Sequence, residues 1–249
     1  MELTELKYRF SLVRSNFSNG RKALSIMTVG LLLTVAASFY VRNNEVEIGK
    51  KEYALVCNDI KAKITIRLHS YATLLRSGSA FYSICDTVNR QNWQKFIERI
   101  KISKNLSGIQ GVGFSMIIPG DQLQKHIQQI RSEGFPQYTV KPAGERAVYT
   151  SIIYLEPFSG RNLRALGYDM FSEPVRRKAM EQSRDSDLEV LSGKVILVQE
   201  TNKDVQFGTL MYVPVYRDRM PLNTVEQRRA AIKGWVYSPF RMNDLMLGI

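Results

Sequence analysis

From Ala23 to Val41 the chain runs for about 19 residues without a charged side chain. At about 1.5 Å of rise per residue, a helix of that length reaches across a hydrocarbon layer roughly 30 Å thick. Tyr40 stands where an interfacial aromatic would anchor such a span, and Lys22 and Arg42 bracket it. A buried core helix would be shorter and carry a polar stripe. A cleaved export signal would start nearer the N-terminus and end on a small-residue cleavage site, whereas Arg42-Asn43-Asn44 follows here. The segment reads as an uncleaved membrane anchor. A mean hydropathy of −0.20 over the whole chain excludes a multi-span protein.

Orientation carries less signal. Lys7, Arg14, Arg21 and Lys22 precede the span, and Arg42, Lys50 and Lys51 follow it. The expected arrangement is a cytoplasmic tail over 1–22, a span over 23–41 and an exported bulk. The formal charge of +12 raises the question of nucleic acid, but the bases are spread among acids, as in Arg176 to Asp187. With no Lys/Arg block or basic arm, a solvated basic surface is the expectation and nucleic acid is not an expected partner.

Beyond the span, residues 43–76 contain no Pro and one Gly, with Glu, Lys, Ala, Leu and Ile frequent, which predicts a long helix leaving the membrane. Val46, Tyr53, Ile60, Arg67 and Leu74 recur every seven residues, with Cys57, Ile64 and Tyr71 in the intervening row. Lys50 and Arg67 interrupt the seam, so it fits either an imperfect coiled coil or a helix packed on its own domain. A second helix is expected over Arg90–Ser103, where Trp93, Phe96, Ile97 and Ile100 share a face. The texture then changes to strands at 108–119, 149–155, 166–170, 195–199, 207–216 and 232–240. Helices are expected at 120–133, at 172–184 with Ser172 as cap, at 224–232 and from Met242. Without regular βα alternation the pattern predicts an α+β fold with mainly antiparallel sheets.

Catalytic chemistry is thin. The only histidines, His69 and His126, lie far apart without ligand-spaced partners, so no metal is expected. The glycines of Gly108–Gly113 have the wrong order for a dinucleotide fingerprint and precede a strand. No phosphate-binding Gly-Lys-Ser/Thr loop, nucleophile elbow, HExxH or CxxC is present. Glu156, Asp169, Glu173 and Glu200 cannot be paired as acid and base by spacing. No cofactor and no enzymatic activity are expected of this chain. Cys57 and Cys85 are an even pair that fits either a disulfide between two antiparallel helices or two free thiols.

The run Tyr154–Asp185 is more specific. Glu156-Pro157, Ala165-Leu166-Gly167-Tyr168-Asp169, Ser172-Glu173-Pro174 and Arg176-Arg177 together resemble the centre of a CHASE domain, the extracytoplasmic sensor of receptor histidine kinases and nucleotide cyclases. Leu191–Glu200, Gly208–Tyr216 and Gly234–Met246 extend the resemblance, which covers about residues 45–247. It is the bacterial-type pattern, since the plant members differ over the helix that Ser172-Glu173-Pro174 opens. The resemblance implies a single transmembrane helix, a long stalk helix over 42–78 and two tandem PAS-like subdomains. These would be a membrane-distal ligand-binding one over 79–216 and membrane-proximal strands with the start of an exit helix over 217–249. It also implies homodimerisation through the stalk and a small-molecule ligand, with a purine-like compound as one candidate from the plant cytokinin receptors. Their adenine-binding aspartate falls on Asp169, a pocket leucine on Leu191 and a threonine on Thr201. Tyr168, Phe207 and Met211 complete the expected pocket. The residues alone also allow Asp169 to be a strand-end carboxylate capping the next helix or pairing with Arg176 or Arg177.

The expected function is therefore ligand sensing by a receptor in the inner (plasma) membrane. The sensor would be periplasmic or extracellular, and the output module outside this chain would be a histidine kinase or a diguanylate cyclase/phosphodiesterase. The rival reading is a membrane-tethered periplasmic binding or adaptor protein complete at Ile249.

Overall fold

Helix α1 runs without a break from Glu2 to Ile84, so the expected span and stalk are parts of one element. The computed structural model describes residues 2–85, 87–101, 108–201 and 205–247, with side chains from Gly20 onward. Within the apolar run the hydroxyls of Ser25, Thr28 and Thr34 donate to the carbonyls of Arg21, Leu24 and Gly30 at 2.8–2.9 Å. Polar side chains so satisfied leave the helix surface apolar, and Leu31, Leu32, Leu33 and Phe39 all face outward. The chain divides into two units, residues 1–62 and 63–249, and the first is helical in all its described residues.

The second unit is built on an antiparallel sheet. It contains the end of α1, then α2 (Arg90–Ile100), β1 (Val112–Pro119), α3 (Leu123–Ser132), β2 (Val148–Glu156) and α4 (Pro174–Ser186). Then come β3 (Val190–Leu191), β4 (Val195–Ile196), β5 (Phe207–Tyr216), α5 (Val225–Ala231), β6 (Ile232–Arg241) and α6 (Met242–Met246). Single 3-10 turns fill Gly120–Gln122, Gly160–Ala165 and Met170–Ser172. The strand order is β2-β1-β6-β5-β3, with β4 also pairing β5. The α+β class, the long first helix and the antiparallel pairing agree with the sequence reading.

The two faces of the sheet bury different cores, as the period of two along each strand requires. On one face Phe114, Met211, Val213, Val236 and Phe240 pack with Tyr71, Leu75 and Tyr82 of α1 and with Trp93 of α2. On the other, Ile152, Leu210, Tyr212, Trp235 and Tyr237 pack beneath Ala179 and Met180 of α4. Gly113 serves this second face. A Cβ there would lie 2.6 Å from Tyr237 Cε1, so only glycine lets that ring rest across β1.

Several expectations are corrected. The division at 216/217 fails, because β5 and β6 are paired from Gly208↔Arg241 to Tyr216↔Ile232 and β6 lies between β5 and β1. Among the described residues there is one sheet, not two, because β6 has the long apolar run that an interior strand needs. Residues 166–170 form isolated bridges, Lys141↔Tyr168 and Ser151↔Asp169, rather than a strand. The cap of α4 is Glu173, whose carboxylate accepts from the Val175 and Arg176 amides at 3.0 and 2.9 Å, while Ser172 closes the preceding 3-10 turn. Cys57 lies on α1 and Cys85 directly follows that same helix, so no pair of antiparallel helices brings them together, and both thiols are free. The expected last residues of α2, 102–103, lie outside the described residues.

Candidate functional site

The face beneath α4 contains polar atoms that its apolar composition does not require. Glu173 and Pro174 start α4, and the first turn then points Arg176 inward, 4 % exposed. Its Nη1 donates to Tyr168 Oη at 3.1 Å and its Nη2 to the Ile196 carbonyl at 2.7 Å. Glu173 Oε2 lies 3.6 Å from Nη1, and the guanidinium stacks 5.2 Å from the Tyr168 ring centre. The cation is thereby fixed, with its charge balanced at the edge of the core.

Across from it stand Tyr212 of β5 and Tyr237 of β6. They are register partners, with ring centres 6.3 Å apart. Both are 0 % exposed, and neither hydroxyl has a hydrogen-bond partner. Burial pushes the pKa of each phenol up, against the smaller opposing pull of Arg176, so both stay protonated donors. Ser115, the β1 neighbour of Trp235, belongs to the same face, and its buried hydroxyl also has no partner. Trp235 is satisfied, since Nε1 donates to the Met180 carbonyl at 3.0 Å.

Asp169 supplies a further such atom beside β2. Its Oδ1 accepts from Thr150 N at 2.8 Å, Thr150 Oγ1 at 3.1 Å and Phe171 N at 3.1 Å. Its buried Oδ2 makes no hydrogen bond and has only the charge of Arg146 Nη1, 3.5 Å away. Asp169 therefore caps the 3-10 turn before α4 rather than α4 itself, and its ion-pair partner is Arg146 rather than Arg176 or Arg177. A buried polar group left unbonded costs about 1–3 kcal/mol, and native structures contain few. Four such atoms, on Ser115, Asp169, Tyr212 and Tyr237, suit a face that receives a small polar molecule or ordered water.

The expected pocket is only partly assembled. Tyr168 and Asp169 belong to the face under α4. Met211 faces the α1 core, and its register partner Leu191, 38 % exposed, shares that opposite side at the sheet edge. Phe207 has the same strand parity as Met211 and is 51 % exposed, with Lys194 Nζ 3.5 Å from its ring centre. Thr201 is half-buried in the segment after β4. The grouping of Leu191, Phe207 and Met211 with Asp169 is thus corrected by the two-residue period. The inward residues of β5 and β6 on the Asp169 side are Leu210, Tyr212, Trp235 and Tyr237. Tyr212, Tyr237, Ser115 and Arg176 were absent from the expected set, although aromatic residues at alternate positions of two long apolar strands are a readable signal.

Elsewhere, His126 Nε2 lies 2.9 Å from Tyr138 Oη, which in turn lies 2.6 Å from Ser151 Oγ. Burial brings the His126 pKa down to about 4, so this imidazole is a neutral structural partner. Among the described residues no group of three His, Cys, Asp or Glu side chains is placed to hold a metal ion.

Comparison with known proteins adds a family. The family model of the CHASE domain matches residues 86–249. No curated protein is significantly similar to the chain. Among solved structures, it is similar to the ligand-binding domain of the Pseudomonas aeruginosa PAO1 amino acid chemoreceptor PctC in complex with GABA. That likeness has 11% identity and a TM-score of 0.43, and covers 73% of this chain and 59% of that one. It is also similar to the periplasmic sensory domain of the Campylobacter jejuni chemoreceptor Tlp1, at 11% identity and a TM-score of 0.42, covering 80% and 60%. The aligned region spans about three-fifths of the length of those two chains.

Proposed function

The chain belongs to the CHASE domain family, and on that premise we propose that it is the extracytoplasmic sensor of a transmembrane receptor, with its ligand held on the sheet face beneath α4. Residues 23–41 of α1 cross the inner membrane, 1–22 remain in the cytoplasm, and α1 beyond the membrane is the dimer contact. The observation that carries this reading is the group of unpartnered buried atoms on Ser115, Asp169, Tyr212 and Tyr237. Two phenols that burial keeps protonated, next to the fixed cation of Arg176, call for a ligand with an acceptor group such as a carboxylate or ring carbonyl. Asp169 Oδ2 would take a donor at the other end of the molecule. The described residues of the face enter this reading as hydrogen-bonding and charged groups only, with no reaction invoked.

Signalling needs a ligand to bind two states unequally; moving a 1:99 population to 99:1 takes about 5.5 kcal/mol of difference. A polar route leads away from the face. Arg176 holds the Ile196 carbonyl, and four residues on, Glu200 Oε1 accepts from Arg241 Nε at 2.9 Å. Arg241 Nη1 also donates to Asp244 Oδ2 of α6 at 3.1 Å, and Arg67 Nη1 of α1 donates to the Leu245 carbonyl at 2.8 Å. Repositioning α4 on a ligand would pull on this chain and so change how α6 sits against α1. The output module beyond α6 would be a histidine kinase or a diguanylate cyclase/phosphodiesterase.

Thermal shift of the full chain in detergent against carboxylates, amino acids and purines tests the reading. A true ligand raises the melting temperature in proportion to ln(1 + [L]/Kd), and Tyr212→Phe and Tyr237→Phe abolish the rise while leaving a folded protein. A screen in which every shift persists in both variants leaves no ligand for this face and refutes the site.

A further inference from the structure

A cavity elsewhere in the same unit shares no lining residue with that face. It opens between α2 and the adjoining ends of β1 and β2 and has a volume of about 710 Å³, within the size range of small-molecule sites. One wall is a single stripe of α2, in which Arg90, Gln94, Glu98 and Lys101 recur at helical spacing. The opposite wall holds Glu156 and Phe158.

Among the described lining residues of this cleft the charges balance in number but are not matched in pairs. Arg90 and Lys101 stand against Glu98 and Glu156, and none of the four takes part in an ion pair among the described residues. Arg90 is held by aromatic rings instead. Its guanidinium lies 4.2 Å from the Phe135 ring centre, 5.1 Å from Tyr154 and 5.4 Å from Phe158, and Nη2 donates to the Ile153 carbonyl at 2.9 Å. Glu156 is 7 % exposed, with Oε2 accepting from the Phe158 amide at 2.9 Å and no cation in contact. Burial raises its pKa against the smaller lowering effects of the Phe158 amide and the Arg90 charge, and the Glu98 carboxylate adds a weaker repulsion in the raising direction. Glu98 has only Gln94 Nε2, at 2.9 Å, while Lys101 ends α2 in a left-handed conformation with no carboxylate beside it.

Two carboxylates across a cleft, one of them buried, are relieved by a cation between them, and the neutral total then calls for an anionic group on the same molecule. We propose that this cleft is a second binding site, selective for a small aliphatic zwitterion whose ammonium meets Glu98 and Glu156 and whose anionic end meets Lys101. Its apolar lining, Ile97, Ile109 and Pro157 among it, takes the hydrocarbon part.

Calorimetric titration of the full chain in nanodiscs tests the site, with 5-aminopentanoate as probe and its two halves, n-pentylamine and pentanoate, as controls. The zwitterion binds saturably and each half at least tenfold more weakly. Glu98→Gln and Lys101→Gln, both at exposed positions, each weaken the zwitterion tenfold or more, and Tyr237→Phe leaves it unchanged. No saturable binding of the zwitterion, equal binding of a half-molecule, or binding that survives both surface substitutions overturns the proposal. Loss of binding in Tyr237→Phe would put the zwitterion beneath α4 and overturn it equally.

Discussion

Replacing Tyr237 by Phe removes one oxygen from the least accessible part of the sheet. The hydroxyl is fully buried and donates to no protein atom, so folding takes it out of bulk water without giving it a protein partner. Such a group destabilises the fold by about 1–3 kcal/mol, while the ring contacts with Tyr212 and the contact with Gly113 remain in Phe. A domain of this size shifts its melting point by about 2–4 °C per kcal/mol. Tyr237→Phe should therefore melt about 2–12 °C above the wild type without ligand, the reverse of most core substitutions. Ligand then reverses the order, raising the wild type and leaving the variant where it was. Scanning calorimetry of both proteins, with a urea midpoint as a check on two-state behaviour, measures this. A ligand-free variant that is less stable by about 1 kcal/mol or more would mean the hydroxyl is bonded, and the reasoning from unpartnered atoms would fail.

Three further outcomes follow from the fold. Glu173→Ala strips two amides of α4 of their acceptor and should lower stability by about 1 kcal/mol, with Glu173→Asp recovering most of it in the same melt. His126 titrates at about 4 when folded and near 6.5 when unfolded, so its contribution is complete above pH 6.5 and is lost as the pH falls toward 4. The unfolding free energy from urea titrations should drop between pH 6.5 and 5 by up to about 1.4 kcal/mol per unit, and His126→Gln should flatten that slope; an unchanged slope contradicts the assignment. Arg241→Met leaves Glu200 buried without its close cation, which should cost about 3–5 kcal/mol, and the double variant with Glu200→Gln should recover part of it.

Much of the fold is legible in the residues. An uncharged run from Ala23 to Val41 has few solutions but a long apolar helix, and Thr224 with Gln227 forms the reciprocal cap that a start at that position implies. Long apolar stretches mark β5 and β6 as interior strands. What the residues do not display is non-local. The pairing of Ser115 with Trp235 spans most of the folded unit, and it makes one sheet of segments that looked like two. Face assignment depends on that register. Without it, Met211 could be counted with Asp169, although a shift of one position along β5 separates the two cores. Asp169 stands out in the sequence by its motif, but its partners do not, since Arg146 reaches it from an irregular loop with no periodic signal. An unbonded hydroxyl leaves no trace in a sequence at all.

Whether the sheet unit is a receiver outside the cytoplasm can be read from one thiol. Cys57 is exposed on α1 beyond the apolar run, and Cys85→Ser leaves it as the single cysteine of the chain. A membrane-impermeant maleimide applied to intact spheroplasts should label Cys57 fully, with no further gain on lysis. Labelling that appears only after lysis would put the unit in the cytoplasm and contradict a sensor of external molecules.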